Sequence, residues 1–191
     1  MKNGEELIFL KEMRRKDREM DADFAYSIID KSHFGTIATI NEDGSPYCVP
    51  VSPARQGDRI YIHGACQGEK IENIKRRPQV CISFVGDVKV PPPFTREEFE
   101  KALEDPATFG RKVSGKFTTE YESAVAFGIA TVVEEREEKI LGLRLISEKY
   151  TPGNMPYFDA AIEVSLDRTC VIRIDITDIK GKRKKLADKK E

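Results

Sequence analysis

A chain of 191 residues buries roughly 70% of its unfolded surface, so one medium domain can stand without disulfide or metal staples. Lys and Arg number 32 against 33 Asp and Glu, and this net charge of −1 excludes a globally basic nucleic-acid binder and an acidic solvating chain. Trp is absent, the mean hydropathy is −0.48, and no apolar run approaches the ~18 to 20 residues that span a bilayer.

The first elements are charge-dense. Residues 1–20 read as a charged arm, with Leu7 to Leu10 their only apolar cluster; a secretory signal needs an apolar core of ~7 to 15 residues, so none is expected. Asp21-Ala22-Asp23 can cap a helix in which Phe24, Ile28 and Ile29 recur at helical spacing up to about Ser32. Residues 34–40 are rich in β-branched side chains and end at the turn Asn41-Glu-Asp-Gly-Ser45, from which 47–51 returns. Gln56-Gly57-Asp58 is a second turn and 59–63 a third strand, giving an antiparallel meander.

A short helix is expected over 69–77, because Ile71 and Ile74 fit a 3.6 period and Pro78 stops it. Residues 80–85 are another strand. Pro91-Pro92-Pro93 then opens an insertion, 91–116, in which Thr95-Arg-Glu-Glu98 looks like a capping box for a helix ending near Leu103. Residues 122–133 form the longest strand candidate, with Gly128 inside it as the mark of a bulge or a close backbone approach. A helix over 134–149 and an alternating strand over 170–176 complete the domain, taken as 21–179, and a basic flexible tail follows at 180–191. Hairpins rather than βαβ units favour a closed antiparallel barrel decorated by helices.

Four cysteines, Cys48, Cys66, Cys81 and Cys170, include no CxxC pair, and two histidines cannot make a His-rich metal site, so no metal is expected. Free thiols fit a reducing cytoplasm. The stretch Ile60-Tyr-Ile-His-Gly-Ala-Cys-Gln-Gly-Glu-Lys70 runs from a strand through small residues into a helix. Unpaired N–H groups, a positive dipole end and the Lys70 charge are the ingredients of a phosphate site, although a plain tight turn with a solvated lysine fits the spacing too. His63 could be an edge or core histidine or, near pH 7, a general acid. Cys66 reads as a small filler, and Cys48, Cys81 and Cys170 as core packing. The tail carries seven basic residues without an interleaved aromatic, which favours a solvated terminus over nucleic-acid binding.

Four motifs in order complete the reading. They are Asp43-Gly44-Ser45-Pro46-Tyr47-x-Val49-Pro50-Val51; Ile60-Tyr61-x-His63-x-Ala65-x-x-Gly68-x-Lys70; Asn73-Ile74-x-x-x-Pro78-x-Val80; and Tyr121-Glu122-Ser123. Together the chain from 13 to about 150 resembles the pyridoxamine-5′-phosphate-oxidase-like, FMN-binding split-barrel superfamily, and within it the nitroimidazole-resistance (NimA-type) branch. The opening Met13-Arg-Arg-Lys-Asp-Arg-Glu19 is also typical of that branch.

The resemblance implies a mainly β fold, a six- to seven-stranded antiparallel split β-barrel (Greek key) with peripheral α-helices. It implies a homodimer with FMN at the subunit interface. Gly64 and Lys70 would meet the FMN phosphate and Gly68 is counted among the cofactor-binding residues; Pro50, Val51 and Ser52 would lie along the isoalloxazine through backbone and small side-chain contacts, and Ile62 and His63 would sit at the strand end beneath it. Ser123 matches a position that reaches the flavin across the dimer interface, and His63 matches a histidine beside the flavin, the candidate catalytic residue. The implied activity is FMN-dependent reduction of small electron-poor molecules such as nitroimidazoles or other nitroaromatics. A non-catalytic flavin- or haem-binding module, and an interaction protein with a vestigial site, are the alternatives. The insertion is longer than this branch usually carries, and Lys70 alone stands at a matching place of the basic phosphate signature, which argues against pyridoxal-phosphate synthesis.

Overall fold

Alternation along the strands separates an apolar face from a wetter one, and a two-residue joint then forces the sheet to roll. The structure is a computed structural model that describes residues 12–185. In chain order it contains β1 (Glu19–Met20), α1 (Ala22–Lys31), β2 (Gly35–Ile40), β3 (Pro46–Val51), β4 (Ala54–Gln56), β5 (Arg59–Gly64), α2 (Glu69–Arg76) and β6 (Gln79–Lys89). Then follow α3 (Arg96–Leu103), α4 (Pro106–Lys116), β7 (Glu120–Val132), α5 (Arg136–Tyr150), α6 (Phe158–Ser165) and β8 (Cys170–Lys184).

All strand pairs are antiparallel, in the order β3-β2-β6-β7-β8-β5-β4, with β1 added to β8. The two edges of this path, β3 and β4, are consecutive in the chain, and only Ser52 and Pro53 lie between Val51 and Ala54. Three residue steps reach about 10 Å, so the sheet must curl until its edges nearly meet. They are not joined by a ladder. The result is a split β-barrel, with the split running beside the Ser52–Pro53 joint.

Inside the barrel stand Ile37, Ile60, Ile62, Ile82, Phe84 and Ile172, with at most 1% of their surface exposed. α1 plugs one opening with Ala25, Ile28 and Ile29, and the Asp21 carboxylate caps it by accepting the Phe24 N–H at 2.8 Å. α5 and α6 cover the outer face of β5 and β8, where Tyr61 and Val171 pack on Leu143, Ile146, Phe158 and Ile162. These two strands are therefore buried on both faces, which is why Ile60, Tyr61 and Ile62 show no exposed–buried alternation.

Gly128 does mark a close approach: the β7–β8 register shifts between Phe127 and Gly128, and a Cβ on Gly128 would collide with the Asp175 carbonyl oxygen. The capping box at Thr95 and Glu98 is present.

Four expectations differ from the structure. The three-stranded meander is not formed: β2 pairs with β3 and β4 with β5, but β3 pairs with neither β4 nor β5, because the chain crosses the split at Ser52–Pro53. The basic segment is not frayed from residue 180: β8 runs to Lys184, because Lys180 to Lys184 pair with β7 and Gly181 and Lys182 also pair with β1. Of the N-terminal arm, the described part ends as β1, bound to that same stretch. The insertion holds a second helix, α4, started by Pro106 in its first turn, and α3 and α4 pack through Phe94, Phe99 and Phe109 edge to face at 5.6 and 6.1 Å. Residues 1–11 of the arm and 186–191 of the tail lie outside the described residues.

Candidate functional site

β5 ends at Gly64, and Ala65, Cys66 and Gln67 carry the chain to Gly68, the residue before α2. Gly68 has φ +110°, a backbone that a residue with a Cβ adopts only under strain. Its carbonyl accepts the N–H groups of Ile71 at 2.9 Å and Glu72 at 3.2 Å, and no side chain caps the helix. The N–H groups of Glu69 and Lys70 thus open the helix without a partner among the described residues.

Lys70 folds back over the end of β5. Its Nζ lies 3.4 Å from the place a Cβ would take on Gly64, so the missing side chain at 64 makes room for the ammonium. Lys70 is only partly exposed and has no hydrogen bond or ion pair among the described residues. Burial pulls its pKa below the usual lysine value, and the neighbouring Cys170 thiol offsets this only in part. His63, pointing outward at the strand end, also titrates below the ordinary histidine value, first because it is partly desolvated and then because Lys70 is close. Two basic groups therefore share one strand–loop–helix joint, each with its charged form disfavoured. An anion would relieve both.

Ser52 and His63 lie off the same end of the β4–β5 ladder, in which Ala54 pairs with Tyr61. That brings the end of β3 to the same side as His63. Pro50 is exposed and Ser52 partly exposed. Val51 and Ile62 point inward instead: Val51 is 7% exposed and Ile62 has no exposed surface. Their side chains belong to the barrel core, so only their backbone faces the end of the sheet that carries Ser52 and His63.

The joint is pinned from behind by residues that no local pattern marks. Lys149 Nζ and Tyr150 Oη both donate to the Pro53 carbonyl, at 2.9 and 3.0 Å, and Lys149 also donates to the Ile29 carbonyl at 3.1 Å. Burial pushes the Tyr150 hydroxyl up to about 12, consistent with a permanent donor.

A shallow cavity of about 520 Å³ opens on the outer face of β2 and β6, lined by His33, Phe34, Thr36, Ser83 and Val85. Thr36 pairs with Pro50 and with Ser83, and Val85 pairs with Ser123, so the cavity lies between the joint and Ser123. Ser123 itself is three strands from β3 along the sheet, roughly 14 Å at 4.8 Å per strand, and is not brought to His63 and Lys70 within the chain. The five lining residues escape the sequence reading. The only local signal for them is a polar Thr36 and Ser83 at outward positions of otherwise apolar strands.

Among the described residues no group of three or more His, Cys, Asp or Glu could hold a metal ion, and no helix is long and apolar enough to cross a membrane.

The fold is a split-barrel domain with a lysine-bearing strand–loop–helix turn after β5 and an outward cavity on β2 and β6. The sequence matches the family described as pyridoxamine 5′-phosphate oxidase over residues 23–183, and the chain belongs to that family. No curated protein matches it. Solved structures share the fold. A candidate 5-nitroimidazole antibiotic resistance protein from Bacteroides thetaiotaomicron is 23% identical over 86% of each chain, with a TM-score of 0.65. The flavocytochrome of Azotobacter vinelandii is 17% identical over 93% of this chain and 75% of its own, with a TM-score of 0.68. An FAD- and haem-binding protein from Mycobacterium smegmatis is 18% identical over 88% and 74%, also at 0.68.

Proposed function

We propose that the protein binds FMN and uses it to reduce small electron-poor molecules, with nitroaromatics as the first class to try. One observation carries the reading: a partly buried lysine, without an anionic partner among the described residues, is folded over a glycine at an uncapped helix start. Lys70 and the N–H groups of Glu69 and Lys70 would hold the phosphate, and Gly64 and Gly68 would let it approach the backbone. Pro50 and Ser52 would border the ring, and the cavity along Thr36 and Ser83 is within the range of ligand pockets. Because Ser123 lies across that cavity, a second protomer supplying its own Ser123 would complete the site, and the working unit in this reading is a homodimer.

Bound FMN would supply the redox chemistry. His63 begins neutral near pH 7, since its pKa is lowered, and so stands ready to accept a proton. Negative charge arriving in the site would raise that pKa and make His63 a proton donor at its outward imidazole edge.

FMN titration of the purified protein, followed by flavin fluorescence, tests this. Saturable binding at one FMN per protomer is expected, and Lys70→Ala should weaken it by about 1–3 kcal/mol, the scale of a lost charge-assisted contact. A wild-type protein that ignores FMN sinks the proposal, and a Soret band on added haem would transfer the site to that cofactor. Reoxidation of the reduced, FMN-loaded protein by a nitroimidazole should be slower in His63→Ala. Equal rates would leave His63 out of the reaction.

A further inference from the structure

Cys66 and Cys170 are far apart in sequence and adjacent in space. Gly64 pairs with Cys170 in the β5–β8 ladder, so the loop that leaves β5 starts directly opposite the first residue of β8. Two residues further on, the Cys66 thiol donates to the carbonyl of Arg168 at 3.7 Å, two residues before Cys170. The Cys66 thiol is close enough to raise the Cys170 pKa. Cys66 is exposed and Cys170 buried.

We propose that Cys66 and Cys170 form a hydroperoxide-oxidisable thiol pair, whose disulfide ties the loop between β5 and α2 to the start of β8 and so changes anion binding at Gly64, Gly68 and Lys70. The second half of this statement rests on the FMN reading; the first does not.

The chemistry balances with hydrogen peroxide as the only co-reactant. The exposed Cys66 sulfur attacks one peroxide oxygen, the O–O bond breaks, and Cys66 becomes a sulfenic acid as one water leaves. The Cys170 sulfur then attacks the Cys66 sulfur, the S–O bond breaks, and a second water leaves with the disulfide formed. Two thiols are oxidised by two electrons and one peroxide is reduced to two waters. The surroundings favour the second step's nucleophile in one respect and resist it in another. Burial and the Cys66 neighbour hold the Cys170 thiol up, while Lys139 and Lys75 draw it down. Lys139 is fixed there by donating to the Leu166 carbonyl at 2.9 Å.

The consequence for the site follows from the loop's position. Cys66 lies between Gly64 and Gly68, and Lys70 already feels the Cys170 thiol. A covalent tie at 66 therefore restricts the same few residues whose backbone and ammonium would meet an anion.

The test uses the full chain, reduced with dithiothreitol, desalted and treated with hydrogen peroxide near stoichiometry. Free thiols are then blocked with N-ethylmaleimide and the protein is mapped by mass spectrometry without reduction. The expected result is two thiols protected, a mass lower by about 2 Da before blocking, and a cross-linked peptide holding Cys66 and Cys170 that dithiothreitol reverses. Cys66→Ser should abolish the link and Cys48→Ser should leave it. Cys66 and Cys170 both still blocked by N-ethylmaleimide, or a link that instead involves Cys48 or Cys81, overturns the pair. FMN titration of the two forms tests the coupling, with an affinity change of about threefold or more expected between them. Equal affinities overturn the coupling alone. Loss of FMN binding in both forms overturns the coupling and the cofactor reading together, while the thiol map still decides the pair.

Discussion

Tyr61 and His63 are two residues apart on the same outward face of β5, yet their polar surroundings are opposites. Around Tyr61 every charge is answered. Its hydroxyl donates to Glu138 at 3.2 Å, Arg173 grips both Glu138 oxygens at 2.9 and 3.0 Å, and Arg173 Nε donates to Asp175 at 2.9 Å. Around His63 the charge that acts on it is another base, Lys70, and neither has a hydrogen bond or ion pair among the described residues. The first cluster fastens α5 to the barrel. The second is the ligand site of the proposed function, since unanswered charge that is partly desolvated costs stability unless a ligand offsets it. Partnering, more than residue type, separates structure from function on this strand.

The sharpest way to break the contrast is to open the closed cluster. Glu138→Ala leaves the Tyr61 hydroxyl without its acceptor and Arg173 with Asp175 alone, so unfolding in urea should show a loss of about 2–3 kcal/mol. FMN affinity should change little. A loss below about 0.5 kcal/mol would mean that the cluster is solvated decoration, in the manner of an exposed ion pair.

Lys70→Met makes the reverse case. It keeps the methylene packing and removes only the charge. The cofactor-free protein should be no less stable than wild type, with its urea midpoint unchanged or raised, while FMN binding weakens by the 1–3 kcal/mol expected of the alanine variant. A destabilised Lys70→Met would show that Lys70 belongs with the structural cluster after all.

The same contrast explains what could be read ahead of the structure. The β2–β3 hairpin, the turns and the helix caps are local, written in residues within a few positions of one another, whereas the expected meander fails because β3 and β5 do not pair. The joint of Gly64, Gly68 and Lys70 was legible for the same reason: strand, loop and helix are contiguous. The cavity was not, since Thr36 and Ser83 become neighbours only through the β2–β6 pairing. Nor was the pinning of Pro53 by Lys149 and Tyr150, which lie nearly a hundred residues away. Composition misled at the end of the chain. A run of lysines reads as a frayed tail, but a backbone paired on both sides holds Gly181 and Lys182 in a strand whose outer face lets the charges reach water.

The smallest expected effect concerns His63 and pH. Its folded-state pKa is lowered from the ordinary 6.5, chiefly by desolvation and then by Lys70. Between that lowered value and 6.5 the unfolded chain binds a proton that the folded chain refuses, so stability rises with pH across this window. Conversely, it falls as pH drops through 6.5 and levels off once the folded form is protonated as well. Urea midpoints measured between about pH 5 and 7.5 should therefore show a shallow positive slope that His63→Gln removes. Tyr61 and Arg173 cannot imitate it, because the phenol and guanidinium are pushed further up, away from neutrality. Saturating FMN should flatten or reverse the slope, since a bound anion favours the charged imidazole. An identical slope in wild type and His63→Gln would place the titration elsewhere and return His63 to the ordinary edge histidines.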